Sequence, residues 1–166
     1  MDYKKILNTI DQWEEATNIV LSMEDLSLHK MQLILKDTYS ILTDFHKSEF
    51  VPRAVCELFL QMEEFLYFTS LIERNEKSVD FYHLQVFFSI IKSLRKGFFK
   101  GEYECSFPKL KFTDAFGNEF SLDLESDNIE DVFAAFNNNW IFLTKFFTQS
   151  KKHVILKTKK GSKICH

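Results

Sequence analysis

Residues that break helices are scarce in this chain, which has four glycines and two prolines among 166 residues. Sharp turns should therefore be few, so long helices are favoured over many short strands. The same scarcity leaves no glycine-rich loop of the kind that holds phosphate groups, neither a P-loop nor a dinucleotide-binding fingerprint. ATP- or NAD-dependent chemistry of the common kinds is therefore disfavoured, and no cofactor is expected.

Cysteines and long apolar runs are also scarce. The three cysteines are widely separated and none is in a C-x-x-C pair, so we expect a reduced, cytoplasmic protein rather than a disulfide framework. No apolar run approaches the roughly 18 residues of a membrane span. The N-terminal segment carries acidic residues early and has no apolar core, so no signal peptide is expected.

Acidic residues are missing from the end of the chain, because none follows Asp131. The last 35 residues carry a charge of +7, and the formal net charge of the whole chain is −3, so residues 1–131 carry −10. An acidic body is therefore predicted to end in a basic strand or tail over 151–166. The charge of +7 in the last 35 residues comes from seven lysines: Lys145, Lys151, Lys152, Lys157, Lys159, Lys160 and Lys163.

Phenylalanine, in contrast, is abundant, with 19 residues. That number indicates a bulky aromatic core or an exposed aromatic surface for a partner. The stretch 79–99 carries apolar residues at spacings of three and four, and Phe81, Leu84, Phe88 and Phe99 widen this stripe until little polar face is left. A helix of this kind belongs at the centre of a domain, with other helices packed around it.

The remaining periodicity predicts a mainly α fold in a single domain, 1–166: a four- or five-helix bundle with a small antiparallel β-hairpin or a three-stranded sheet. Ser22 and Asp25 form a capping box that should open the second helix. Alternation over 102–124 predicts the hairpin, with a bulge or corner at Pro108 and a positive φ at Gly117 or Asn118. The predicted helices span 3–21, 24–46, 52–74, 79–99 and 128–148, and 153–159 could add a third strand.

Catalytic patterns are weak. Asp80 with His83, and His46 with Glu49, each have the spacing of a carboxylate–histidine metal pair, but the other motifs of a di-metal bundle are missing, so no metal is expected. Arg74 resembles the arginine of the arginine–histidine pair in the HEPN family of helical-bundle nucleases. It lies further from His83 than in that family, and a turn separates the two.

An enzyme of this helical-bundle type, HEPN-like or not, is nevertheless retained as an alternative. It would require a cluster of Glu57 or Glu64 with His83 and Tyr82 inside a cavity. A second alternative is a homodimeric structural protein, in which the basic tail of one copy meets the acidic helices of the other.

The function that we predict is a non-enzymatic cytosolic protein–protein interaction module, a small inhibitor or immunity-type protein that binds another, basic protein through an acidic helical face or an exposed aromatic patch. Nucleic acid is disfavoured because the acidic body would repel a polyanion, and no membrane contact is expected. The tail lysines either are solvated on an edge strand or dock on an acidic surface, and Phe116 either is exposed at the hairpin tip or folds back on the fifth helix. The candidate contact residues are Glu14, Glu15, Asp37, Asp44, Phe116, Lys157, Lys159 and Lys160.

Overall fold

A computed structural model of the chain describes residues 2–72, 79–114, 116–136 and 138. The chain has two compact units, Met1–Phe133 and Ala134–His166. The elements up to residue 133 belong to the first unit. The prediction of a mainly helical fold with a small antiparallel sheet in the C-terminal half is confirmed, whereas the single-domain assignment stays a prediction. The elements are α1 (Tyr3–Leu21), α2 (Leu28–Phe45), α3 (Arg53–Leu71), α4 (Val79–Lys100), β1 (Lys109–Thr113), β2 (Glu119–Asp123) and α5, which begins at residue 129.

The core is centred on the side chain of Trp13 in α1, which is fully buried. Its indole ring stacks on Phe87 of α4, with ring centroids 5.5 Å apart, and meets the ring of Phe65 of α3 edge-on at 5.4 Å. The indole N–H donates a hydrogen bond of 3.0 Å to Thr38 Oγ1 of α2. One side chain therefore contacts the other three long helices, and its only polar group is satisfied where water is excluded.

Helix α4 contributes a broad apolar stripe to this core, as predicted. At about 100° per residue its six buried side chains among the described residues cover one arc of about 160°, and α2, β1 and aromatic rings of α1 and α3 contact the helix. The prediction was wrong for one residue, because Phe99 is largely exposed. The buried side chains of α4 are Leu84, Val86, Phe87, Ile90, Ile91 and Leu94.

The start of α2 differs from the prediction, because Ser22 closes α1 rather than opening α2. The Glu24 N–H donates to the Ile19 carbonyl oxygen and the Met23 N–H donates to that of Val20, with Met23 at φ 61°. This left-handed turn satisfies the free carbonyls of α1. Ser27 then caps α2 by accepting a hydrogen bond of 3.2 Å from the Lys30 N–H.

Helix α4 also ends in a left-handed turn, at Gly101 with φ 67°. The Glu102 N–H donates to the Gly97 carbonyl oxygen, and the Gly101 N–H donates to that of Phe98. Glycine suits this position because a side chain there would be strained. The helix extends one residue beyond the predicted end at residue 99.

The β-hairpin is shorter than predicted. Strands β1 and β2 pair antiparallel with Leu110 opposite Leu122, and their turn places Gly117 at φ 84°, as expected. The predicted alternation before Pro108 does not form a strand. Tyr103 and Phe107 instead pack their rings on Tyr39 of α2, with centroids 5.2 and 5.9 Å away.

Other predicted boundaries are close to those observed or lie outside the described residues. Helix α3 begins at Arg53, one residue later than predicted, and ends at Leu71, three residues before the predicted end at residue 74, because Ile72 is already extended. The start of α5 is one residue later than predicted, and its predicted end at 148 cannot be compared because it is outside that part. The possible third strand over 153–159 is outside it too.

The first prediction concerns the contribution of the Trp13–Thr38 hydrogen bond to the free energy of unfolding. Trp13→Phe should lower the free energy of unfolding by about 2–3 kcal/mol, because it removes buried ring volume and the indole donor. Thr38→Val should cost about 1–3 kcal/mol because it leaves the indole N–H buried without an acceptor. The double variant should lose less than the sum of the two, as measured by urea unfolding followed by circular dichroism. Strict additivity would show that the two side chains are not coupled.

Candidate functional site

The acidic residues predicted as contacts lie on α1 and α2 but differ in their surroundings. Glu15 forms an ion pair of 2.5 Å with Lys30, and the Asp37 carboxylate accepts a hydrogen bond of 3.2 Å from the Gln12 amide. Glu14 and Asp44 are exposed. Phe116 is exposed at the hairpin tip, while Lys157, Lys159 and Lys160 lie outside the described residues. The predicted contact set therefore stays a prediction.

The cluster required by the enzyme alternative is not assembled. Glu57 and Glu64 are both exposed on α3, on the side away from the core. The half-buried His83 ring packs on Phe133, with centroids 5.7 Å apart. Among the described residues, no group of three or more His, Cys, Asp or Glu side chains is placed to hold a metal ion. Arg74, the nuclease candidate, lies outside those residues.

A polar cleft of about 230 Å³ lies between the end of α4, the segment 102–105 and β1. At its base the Tyr39 hydroxyl donates to the Cys105 carbonyl oxygen and lies 3.0 Å from that of Lys109. The Tyr103 hydroxyl donates to the Leu94 carbonyl oxygen at 3.1 Å. The mouth is lined by three lysines and three glutamates: Lys96, Lys100, Lys111, Glu102, Glu104 and Glu119.

Both tyrosines in this cleft are held as neutral phenols. Burial, reinforced by Cys105, raises the pKa of Tyr39 to about 12, and burial, reinforced by Tyr39, raises the pKa of Tyr103 still further. A general base needs a pKa near the working pH, and neither phenol has one. The hydrogen bonds of the two hydroxyl groups join the segment 102–109 to α2 and α4.

Gly97 sets how closely that segment approaches α4. A Cβ atom added at Gly97 would lie 2.4 Å from Cδ1 of Tyr103. Real Cβ contacts are never this short, so the tyrosine ring occupies the space of the missing side chain. Glycine normally lowers the stability of a helix interior, but at position 97 a larger residue would leave no room for the Tyr103 ring.

Gly97→Ala should therefore destabilise the protein, although glycine to alanine inside a helix normally stabilises by about 1 kcal/mol. We expect a loss of about 1–3 kcal/mol in the free energy of unfolding, because Tyr103 must leave its place against α4. In a Tyr103→Ala background the same substitution should become neutral or stabilising. Urea denaturation of all four proteins measures both effects, and a stabilising Gly97→Ala in the wild-type background would contradict the packing.

Tyr39 gives a pH-dependent prediction. Because the folded pKa of about 12 lies above the ordinary value of 10.0, its contribution to stability is complete below pH 10.0 and is lost as the pH rises toward 12. Tyr39→Phe should cost about 1–2 kcal/mol at neutral pH, where carbonyl oxygens lose their donor. The stability difference between wild type and variant should shrink above pH 10.0. A difference that stays constant across that range would contradict the assignment.

The outer face of α3 is apolar at its centre, which is unusual for the solvent side of a helix. Leu60, Tyr67 and Leu71 are 59%, 60% and 62% exposed. At about 100° per residue, they lie within about 40° of one another, opposite the buried stripe of the same helix. Glu57 and Glu64 flank them, and we call these five residues the α3 face.

The sequence analysis missed the α3 face, although a signal was present. The helical wheel of 52–74 places its apolar stripe on one side, and the residues opposite were identified as polar from Glu57, Gln61 and Glu64. Leu60, Tyr67 and Leu71 recur at spacings of seven and four on that same polar side. Apolar residues on both sides of a helix predict either a fully buried helix or a contact surface.

A second exposed apolar surface lies at the C-terminal end of α4. Phe50, in the connection between α2 and α3, is 87% exposed and Phe99 is 71% exposed. An open depression of about 550 Å³ beside them is lined in part by Phe45, Val51 and Phe98. We call this the α4-end patch.

Lysines accompany this patch. Lys92, Lys96 and Lys100 are exposed at successive positions four apart along α4, and Lys100 also lines the depression. The α4-end patch is therefore basic, whereas the α3 face is acidic.

No protein-family model, curated protein or solved structure matches this chain. None of the described helices is long and apolar enough to cross a membrane.

Proposed function

We propose that the chain is a non-enzymatic protein-binding protein of the inhibitor or immunity type, and that its α3 face binds a basic amphipathic helix of the partner. The observation that supports this most strongly is the exposure of Leu60, Tyr67 and Leu71 at the centre of the solvent side of α3. Large apolar side chains at the positions furthest from the core do not contribute to the core. A contact with another protein gives them a role.

The spacing of these residues fits a helical partner. Positions 60, 67 and 71 form one stripe along about the C-terminal two-thirds of α3, which matches the apolar stripe of a helix laid beside it. Covering the exposed part of each side chain would contribute roughly 1 kcal/mol from apolar area. Tyr67 lies between the other two and is of a residue type enriched among the strongest contacts of interfaces.

The charge around the stripe favours a basic partner. Glu57 and Glu64 flank it, while Glu63, toward α4, is already paired with Arg95. Residues 2–72 carry twelve acidic and six basic side chains, a net charge of −6. Such a field accelerates association with a basic surface and disfavours an acidic one. A second copy of the chain would bring the same carboxylates to the contact, which makes the homodimer a weaker explanation of this face.

The test is a selection of phage-displayed helical peptides on the immobilised full-length protein. Selected peptides should carry apolar residues at helical spacing with lysine or arginine beside them. Tyr67→Ala should weaken binding of a selected peptide about tenfold or more, because it removes the central anchor. Leu33→Ala is the matched control, since Leu33 is an exposed leucine on α2, and it should leave binding unchanged. Circular dichroism should show that both variants keep the helical fold.

Two outcomes would contradict this proposal. One is the selection of acidic peptides, or of peptides that bind Tyr67→Ala as tightly as wild type. The other is self-association in sedimentation experiments that Leu60→Arg abolishes, which would assign the α3 face to a homodimer.

A further inference from the structure

We infer that the α4-end patch is a second binding surface, separate from the α3 face, and that it takes an acidic protein segment carrying an apolar anchor residue. This inference does not depend on the function proposed for α3. It follows from exposed lysines that form no ion pair with a carboxylate of the described residues, from exposed aromatic rings and from a depression beside them.

The cations form a regular row. Lys92, Lys96 and Lys100 lie four residues apart, so they share one side of α4 and span about 12 Å along its axis. All three are exposed, and none takes part in an ion pair with a carboxylate of the described residues. Arg95, the fourth cation of this stretch, is bound by Glu63. Three positive charges are thus available to a ligand.

Two aromatic rings of the α4-end patch pack on a phenylalanine of α3. Phe59 of α3 packs on the rings of Phe98 and Phe99, with centroids 4.8 and 5.1 Å away. Phe50 is the most exposed of the large apolar residues in the described part of the chain. A surface whose rings are already packed loses little side-chain freedom when a ligand binds. The depression of about 550 Å³ is large enough for an apolar side chain of the ligand.

Carboxylates near the α4-end patch favour a short acidic segment over a ligand with continuous negative charge. Glu49 precedes Phe50 and also lines the depression, while Glu102 and Glu104 follow the end of α4 and line the polar cleft. An anionic bilayer or a long nucleic acid would bring continuous negative charge against these carboxylates as well as against the lysines. A short acidic segment can place its carboxylates at the lysines alone and its anchor among the aromatic rings.

The experiment measures fluorescence anisotropy with the full-length protein and a short fluorescein-labelled peptide in which glutamates surround a Leu-Phe pair. The matched peptides replace every glutamate by lysine, or the Leu-Phe pair by two serines. Oligo-dT and phosphatidylglycerol vesicles serve as the two other anionic probes. The acidic peptide with its anchor should bind more tightly than both matched peptides, and added salt should weaken its binding.

Charge reversal separates this patch from the general charge of the protein. Lys96→Glu should weaken binding of the acidic peptide about tenfold, and Phe99→Ala should also weaken it. Lys4→Glu and Leu21→Ala are the matched controls, because both side chains are exposed on α1, and they should have no effect. Tyr67→Ala should also have no effect, which keeps this result distinct from that for the α3 face.

Three results would overturn the inference. The first is equal binding of the acidic and the lysine-substituted peptide. The second is an acidic peptide whose affinity does not change in Lys96→Glu and Phe99→Ala. The third is binding of oligo-dT or of the vesicles, lost in Lys96→Glu, with no binding of the peptide, which would assign the patch to a polyanion or a lipid surface.

Discussion

The packing around Trp13 is the constraint on which the rest of the structure depends. Its ring lies between Phe65 and Phe87, and its N–H is bonded to Thr38, so a single side chain fixes the positions of four helices relative to one another. This arrangement uses both properties of the indole group, a large apolar surface and one donor that must be satisfied when buried. The buried faces of the helices are thereby fixed, and so are the faces that remain in solvent.

The β-hairpin is joined to this core by a second set of aromatic contacts. Tyr103 fills the space above Gly97, and the Tyr39 hydroxyl donates to the backbone of the segment that leads into β1. The polar cleft lies between these elements, and both of its phenol groups are engaged in hydrogen bonds to the backbone. We propose that the exposed apolar side chains and charges of α3 and α4 are the groups that recognise partners.

The sequence predicted the helices well because each has a continuous buried stripe. The start of α2 was wrong because Ser22 and Ser27 are both good caps, and only the left-handed turn at Met23 shows which one ends α1. The alternation before Pro108 looked like a strand because Tyr103 and Phe107 both turn inward, but toward α2 rather than a neighbouring strand. The predicted contact residues other than Phe116 were chosen from charge, so the exposed leucines of α3 were passed over although they lay on its polar side. Exposure of Phe99 depends on which side of α4 the core takes, and a helix apolar nearly all round does not reveal that.

The central claim is that one helical core presents two independent binding surfaces of opposite charge. Sedimentation velocity of the full-length protein with both peptide ligands, each carrying a different dye, tests it most directly. Phe59 and Glu63 of α3 contact α4 between the two surfaces. Two peptides that bind at the same time must therefore both leave this α3–α4 contact uncovered. We then expect one sedimenting species that carries both dyes at saturation. Displacement of one peptide by the other would show instead that α3 and the end of α4 form a single site.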